Sequence, residues 1–388
     1  MKNKIATCVR NIVPSVIREM SLKAAAYKNV ISLGIGEPDF DTPGEVSQAA
    51  LGDALAGHTH YTPSRGYNEL LRELSHSIKV HSGLELDDTQ LLMTHGGMGG
   101  LTACLRAVLE PGEEALVPEP HFPSYGAQIA FAGGKMVYIP THFKDGFILR
   151  PESVEKALTP KTKILIVNTP NNPTGSVMPG QILDELAEIA VEHDLLVLSD
   201  EVYDRLVFKG RHESIYTRPG MSDRTVVVNS FSKTFAMTGW RLGYAYGPAW
   251  LIEEMLKVVT YQTSCASSVS QRAALAALRA ERGQFETMWH KFRERCEFVF
   301  KRLKKIPGIR VHPTAGSFYI FPNITDITPD CEQFALELLA QEQVVVVPGA
   351  AFGPSGKGCV RLACTVSKDR LAEAMDRLER FARRYRGS

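Results

Sequence analysis

The sequence predicts an α/β fold: a large, doubly wound, mostly parallel sheet domain with a smaller α+β domain. Three observations lead there. Between about residue 91 and residue 247, short apolar runs alternate with amphipathic helical stretches, which is the pattern of βαβ units. Several of the runs are β-branched and uniformly apolar, as in Thr225-Val226-Val227-Val228-Asn229, and such strands are buried on both faces. Beyond residue 305 the alternation changes to isolated short strands separated by helices. A chain of 388 residues exceeds one typical domain. The expected division is an N-terminal arm with part of the small domain over 1–45, a large domain over 46–290 and a small C-terminal domain over 291–388.

Composition narrows the function classes. The chain is 44% hydrophobic and 22% charged, with formal net charge +1, so no global field favours nucleic acid or a membrane surface. Arg377, Arg380, Arg383, Arg384 and Arg386 make the C-terminal segment basic, but Glu379 interrupts them and Leu378, Phe381 and Tyr385 interleave. That reads as the solvated face of a terminal helix, ahead of an RNA-binding surface. The seven cysteines are odd in number and form no Cys-x-x-Cys, which argues against a disulfide scaffold and against a zinc site; no metal is expected. Lys2, Lys4 and Arg10 precede no apolar signal region, and no apolar run approaches about 20 residues. A cytoplasmic location follows by default.

In chain order, Ile17, Met20 and Ala24 fall at helical spacing in the arm. Val30-Ile31-Ser32-Leu33 reads as a strand running into Gly34-Ile35-Gly36-Glu37-Pro38-Asp39. Two glycines before a proline fit backbone closely approached by something, a ligand included, or a plain turn. A helix is expected over Glu45–Leu55. A polar loop with Tyr61 and Tyr67 follows, both tyrosines suited to packing. Asn68 is the expected cap of a helix whose apolar face is Leu70, Leu71 and Leu74.

Leu91-Leu92-Met93-Thr94 reads as a strand that enters His95-Gly96-Gly97-Met98-Gly99-Gly100 and then a helix carrying Leu101, Leu105 and Val108. A helix N-terminus after a glycine turn favours phosphate, although glycines also serve a tight strand-to-helix connection. The turn lacks both the dinucleotide fingerprint and the Gly-Lys-Ser/Thr of a nucleoside-triphosphate loop. Strands are also expected over 115–118 and 136–139. After the first of these comes Phe122, placed either to stack on a flat ring or to join the core. The strand Lys163–Val167 ends in Asn168-Thr169-Pro170-Asn171-Asn172-Pro173-Thr174-Gly175, whose amides are aimed by a proline-fixed loop. A helix with Ile182, Leu183, Leu186, Ile189 and Ala190 on one stripe follows. The strand Leu195–Ser199 then delivers Asp200-Glu201-Val202-Tyr203. A carboxylate there lies at the sheet's ligand edge, or simply turns the chain.

Ser230-Phe231-Ser232-Lys233 follows the strand 225–229, with Gly239-Trp240-Arg241-Leu242-Gly243 just beyond. Desolvation at a strand's C-terminal end lowers an amine's pKa and makes it nucleophilic toward carbonyls. The serines and Arg241 supply donors suited to a phosphate. A carbonyl-seeking lysine beside a phosphate cradle points to a pyridoxal phosphate Schiff base. On the tetrapeptide alone, a surface lysine in a polar loop fits equally well. The stretch Ser264–Lys305 is helix-rich. The small domain then shows Gly316–Phe321, a helix near Cys331–Glu342, Val344–Val347, Cys359-Val360-Arg361-Leu362 and a closing helix.

Taken together, these blocks resemble fold-type I pyridoxal-phosphate enzymes, specifically the class I aminotransferases. The resemblance rests on five blocks in order: Gly34–Asp39, Asn172-Pro173-Thr174-Gly175, Asp200-Glu201-Val202-Tyr203, Ser230-x-Ser232-Lys233 and Gly239–Gly243. Together with Arg361 it covers nearly the whole chain. It implies the cofactor pyridoxal 5'-phosphate, attached to Lys233, which then shuttles the substrate's α-proton. Asp200 pairs with the pyridine nitrogen, and Tyr203 and Asn172 hydrogen-bond the ring's 3′-oxygen. Phe122 stacks on the ring, where other members often carry Trp or Tyr. The N–H groups of Gly97 and Met98, together with Ser230, Ser232 and Arg241, hold the phosphate. Tyr61 reaches in from a second subunit, which implies a homodimer with shared active sites. Met98 departs from the small polar residue of some members, leaving its backbone N–H alone for that contact. Arg361 clamps the substrate α-carboxylate, helped by Asn172 and the Gly36 backbone.

The expected reaction is amino transfer from an amino acid to a 2-oxo acid such as 2-oxoglutarate, by a ping-pong route. Arg361 and Arg241 are both committed, and Ile12, Val13, Ile17 and Ile35 are expected near the pocket mouth, so broad specificity toward apolar or aromatic donors is expected, with glutamate accepted through a flexible or water-bridged arrangement. A C–S β-lyase on a related fold is the alternative with the same cofactor. A non-catalytic ligand-sensing module fits less well, since the arm before Gly34 is too short for a DNA-binding domain. A nucleotide-dependent dehydrogenase would leave Lys233 unexplained.

Overall fold

Seven strands form the central sheet, and their ends determine where a ligand can enter. The computed structural model describes residues 4–280 and 283–387; Lys2 and the Arg386 side chain lie outside the described residues. The first strand, β1 (Ile31–Ser32), belongs to a separate small sheet. The central sheet is built from β2 (Leu91–Thr94), β3 (Glu114–Glu119), β4 (Lys135–Pro140), β5 (Thr162–Asn168), β6 (Leu196–Asp200), β7 (Thr225–Ser230) and β8 (Gly243–Tyr246). Their order is β2-β8-β7-β6-β5-β3-β4. β8 is antiparallel to both neighbours and every other pairing is parallel. The α/β, mostly parallel expectation is borne out.

Burial explains which strands announced themselves. β2 and β7 are buried at every position, because helices cover both faces. On one side Leu101 and Leu105 of the helix Gly96–Val108 meet Val226 and Val228. On the other, Leu70, Leu71 and Leu74 of the helix Asn68–Ser82 meet Val227 and Met93. Asn68 is the first residue of its helix rather than the cap. Tyr67 takes the cap position without a side-chain capping bond, and its own N–H donates to Gln271 Oε1 at 2.9 Å. The strand β8 is absent from the sequence reading, since Gly-Tyr-Ala-Tyr carries no β-branched residue. Its two neighbours, β2 and β7, impose its conformation through a four-residue register on each side.

The smaller layer contains β9 (Tyr319–Ile320), β10 (Val344–Val345), β11 (Val347–Pro348) and β12 (Val360–Ala363). β11-β12-β9 is antiparallel, and β10 pairs in parallel with β1. The core of this layer includes Phe292, Phe318, Phe334, Leu371 and Phe381. Beyond β1 the chain stays extended and is stitched to its surroundings. The Leu33 carbonyl accepts from the Ala363 N–H at 2.8 Å, and the Ile35 carbonyl accepts from the Thr365 hydroxyl at 3.1 Å.

The closing helix Lys368–Gly387 presents Arg380, Arg383 and Arg384 as the expected solvated basic face, each more than half exposed, and Arg377 alone of the four is largely covered. Arg380 and Arg384 both reach Glu342, at 2.9 Å and 2.7 Å. Arg377 donates to the Glu342 carbonyl at 2.8 Å. The buried Glu342 carboxylate is thus paired by cations that remain on the solvent side. All seven cysteines are free thiols and five are buried. No described helix is long and apolar enough to cross a membrane. Among the described residues, no cluster of His, Cys, Asp or Glu is arranged to hold a metal ion.

Candidate active site

β7 delivers Ser230 and the short helix Phe231–Thr234, which carries Lys233. Ser230 caps that helix: its hydroxyl accepts from the Ser232 N–H at 3.1 Å. The same hydroxyl lies 2.9 Å from the Ser232 hydroxyl and 3.1 Å from the Leu242 carbonyl. Lys233 Nζ faces a cavity and donates to the Gly36 carbonyl at 2.6 Å. Desolvation lowers its ammonium pKa to about 8, with Glu37 acting in the opposite direction. An amine in that range is deprotonated far more often than a surface lysine near neutral pH.

β6 ends on Asp200, which is 4% exposed. Its Oδ2 accepts from the Tyr125 hydroxyl at 2.6 Å, and its Oδ1 receives a longer contact from the Val202 N–H at 3.4 Å. Burial raises its pKa to about 6, and the Tyr125 and Val202 hydrogen bonds hold it from rising further. Tyr203, one turn on, places its hydroxyl 3.0 Å from that of Tyr319. Asn168, at the end of β5, donates through Nδ2 to the Asp200 carbonyl at 2.9 Å. Its Oδ1 accepts the Asn172 N–H at 2.9 Å. The asparagine loop is thus tied directly to the carboxylate strand.

The glycine turn after β2 forms the opposite end of the cavity. Gly96 adopts φ 63°, and a Cβ there would lie 2.7 Å from Arg241 Nη2. Glycine lets the guanidinium pack onto the start of the helix Gly96–Val108. Arg241 itself has φ 56° and donates to the Thr238 carbonyl at 2.8 Å. Arg241, Ser230, Ser232 and the N-terminal turn at Gly97 and Met98 all line the cavity. Serine hydroxyls, a guanidinium and a helix N-terminus are a donor set for an anion.

Arg361 on β12 closes the third side. It is 1% exposed. Its Nη1 donates to Asn172 Oδ1 at 3.0 Å and its Nη2 to the Gly34 carbonyl. Its Nε is buried and has no hydrogen-bond partner. The guanidinium lies 4.5 Å from the Tyr319 ring centroid and 4.9 Å from that of Phe352. Among the described residues no carboxylate pairs with this buried cation, and desolvation lowers its pKa. A buried cation with an unused N–H calls for an anionic ligand.

These elements enclose a cavity of about 470 Å³. Every predicted site residue except Tyr61 lines it: Gly36, Gly97, Met98, Phe122, Asn172, Asp200, Tyr203, Ser230, Ser232, Lys233, Arg241 and Arg361. Tyr61 is 89% exposed and lies away from its own chain's cavity. Of the four apolar residues expected at the mouth, Ile17 and Ile35 line the cavity and Ile12 and Val13 do not.

Sequence comparison places the chain in a family. The family model for aminotransferase class I and II matches residues 28–378. The chain belongs to that family. It is 43% identical over 371 residues to an aromatic-amino-acid aminotransferase 2 of Thermococcus litoralis, covering 95% of both chains. It is also 43% identical over 374 residues to an aspartate aminotransferase of Pyrococcus abyssi, covering 95% of this chain and 96% of that one. The crystal structure of an aromatic aminotransferase from Pyrococcus horikoshii OT3 superposes with a TM-score of 0.89 at 42% identity, over 94% of this chain and 99% of that one.

Sequence reasoning missed two tyrosines in this aminotransferase. Tyr125 and Tyr319 hold Asp200 and Tyr203 but belong to none of the five motif blocks. One available signal was Gly36, read as backbone under close approach. The approaching group is the Tyr319 hydroxyl, 1.7 Å from where a Cβ would stand.

Proposed function

We propose that this aminotransferase uses pyridoxal 5'-phosphate to move an amino group from an amino acid to a 2-oxo acid. We further propose 2-oxoglutarate as acceptor and two ping-pong half-reactions. The observation that carries the reading is Lys233, an amine with a pKa of about 8, in one cavity with a buried carboxylate and a buried arginine whose Nε lacks a partner. The residues fit the group: a cavity of about 470 Å³ is lined both by the anion donors Ser230, Ser232, Arg241 and the Gly97–Met98 turn and by the Asp200 carboxylate. When bound, the cofactor supplies an aldehyde carbon for covalent attachment and an electron sink for the substrate's α-carbon.

The chain's own residues do the rest. Lys233 Nζ holds the cofactor between turnovers, then takes the substrate's α-proton and returns it to the other side of the transferred nitrogen. The Asp200 carboxylate would keep a proton on the ring nitrogen. Tyr203 and Asn172 would donate to the ring oxygen, and Phe122 would cover the ring. Gly97, Met98, Ser230, Ser232 and Arg241 would hold the phosphate. Arg361 orients the α-carboxylate through a planar fork that the unused Nε completes.

In this reading the large layer over 46–290 carries the cofactor, and the segments 1–45 and 291–388 bring Gly36 and Arg361 over it. The enzyme is a homodimer in which the partner subunit's Tyr61 reaches the phosphate; the exposure of Tyr61 in one chain supports this. Seven unpaired cysteines support a reducing, cytoplasmic setting.

The donor preference is broad toward apolar or aromatic amino acids, with glutamate, the product from 2-oxoglutarate, accepted through a flexible or water-bridged arrangement. Ile17, Ile35 and Leu101 line the cavity, and the cations lining it among the described residues are Lys233, Arg241 and Arg361, each already engaged. The test compares kcat/KM for phenylalanine, alanine, methionine, aspartate and glutamate with 2-oxoglutarate as common acceptor. Phenylalanine or methionine should lead. An aspartate preference of about a hundredfold, near 2.7 kcal/mol, overturns the donor assignment, and absence of transfer with every donor overturns the reaction.

A further inference from the structure

Tyr125 has no part in the chemistry described so far, yet it touches two of the groups that do. It is 1% exposed. Its hydroxyl donates to Asp200 Oδ2 at 2.6 Å, while the other carboxylate oxygen has only the 3.4 Å contact from the Val202 N–H. Its ring stands edge-on to Phe122, with centroids 5.6 Å apart and planes at 85°. The two residues are also joined through the backbone, since the Tyr125 N–H donates to the Phe122 carbonyl at 3.2 Å.

We propose that Tyr125 is the positioning residue of this centre, fixing the Asp200 carboxylate with its hydroxyl and bracing the Phe122 ring with its own. The proposal rests on the cofactor reading above and deepens it. A carboxylate with two free oxygens can rotate. Once Oδ2 is committed to Tyr125, only Oδ1 remains for the ring nitrogen, in a single orientation. Burial and the adjacent Asp200 charge push the phenol's pKa well above its ordinary value, so it stays a donor throughout the working pH range. The bond also draws negative charge out of the carboxylate, which tempers the field that Asp200 exerts on the cavity. The single turn from Phe122 to Tyr125 that leads into the helix Ser124–Phe131 thus sets both the edge contact and the face contact of the ring.

The test uses holoenzyme reconstituted with pyridoxal 5'-phosphate. Tyr125→Phe keeps the ring and removes the hydroxyl. The pH at which the bound cofactor's visible absorbance titrates should move up, because the undamped carboxylate stabilises the protonated form of the group that titrates. kcat should fall about ten- to a hundredfold, the value of one hydrogen bond to a charged group, with KM for the amino donor nearly unchanged. Tyr125→Leu should show the same shift and bind the cofactor more weakly, because Phe122 loses its brace. In an Asp200→Asn background, Tyr125→Phe should leave the titration where Asp200→Asn alone puts it. A Tyr125→Phe enzyme with wild-type midpoint and wild-type kcat overturns the positioning role. So does an equal midpoint shift in the Asp200→Asn background. A wild-type protein that develops no visible absorbance with the cofactor overturns the cofactor reading itself, and this proposal with it.

Discussion

Gly36 and Tyr319 exclude each other's enlargement: a methyl group on Gly36 would lie 1.7 Å from the Tyr319 hydroxyl and 2.7 Å from the ring carbon that bears it. Tyr319 in turn shares a hydrogen bond with Tyr203. Gly36→Ala should therefore displace an aromatic ring inside the cavity, an overpacking effect of roughly 1–3 kcal/mol. Activity should fall ten- to a hundredfold. Tyr319→Ala vacates the same space, so the double variant should recover part of what Gly36→Ala loses. A double-mutant cycle checks this, and strictly additive losses would refute the coupling.

The amine of Lys233 titrates near 8 instead of 10.5 because burial disfavours its charge. The neutral form is the nucleophile. Borohydride trapping of cofactor added to the apoprotein should accelerate with pH through a midpoint near 8 and level off above it. A rate that keeps climbing beyond pH 10 would show that the amine behaves as an ordinary lysine. Lys233→Ala should trap nothing at any pH.

Asp200 runs the other way, since burial raises its pKa from 3.8 to about 6. Between those values the folded apoprotein binds more protons than the unfolded chain, so this group's contribution to stability falls as pH rises through that window. Above it the buried charge is a standing penalty. Apo Asp200→Asn keeps an acceptor for Tyr125 without the charge. It should melt at a higher temperature than wild type at pH 7, and the gap should narrow toward pH 4. Thermal melts at both pH values check the sign, while the holoenzyme variant should be nearly inactive.

Arg361→Lys keeps the charge but loses the fork and its unpartnered Nε. kcat/KM for amino acids and for 2-oxo acids should fall together, about a hundredfold, with the absorbance of bound cofactor unchanged. Unchanged kinetics in both half-reactions would remove Arg361 from the site.

Most of the central sheet could be read from sequence because runs such as Val226-Val227-Val228 and Ile164-Leu165-Ile166-Val167 become strands almost regardless of context, being apolar on both faces. β8 could not, since its pairing with β2 and β7 is the only thing that makes it a strand. The site divides the same way. Lys233, Asp200 and Asn172 sit in compact motifs next to strand ends. Tyr125 and Tyr319 act across 75 and 116 residues of chain, and no local pattern records a partner at that distance. The solvated arginine face of the last helix was legible, but the partner of Arg380 and Arg384 was not, because Glu342 lies on a different helix.

The extended segment from Leu33 to Gly36 works as a ruler. The Gly34 carbonyl takes the guanidinium of Arg361 and the Gly36 carbonyl takes the amine of Lys233, while the carbonyls of Leu33 and Ile35 between and before them clasp β12 and Thr365. Carbonyls two residues apart in an extended chain point the same way and are separated by about 7 Å. The groups proposed to grip the substrate's carboxylate and its α-proton are thus referenced to consecutive marks on a peptide backbone, although one arises from the small layer and the other from the large sheet. A side-chain change elsewhere can loosen either group, but the interval between their reference points is a repeat distance of the polypeptide, which no side-chain substitution alters.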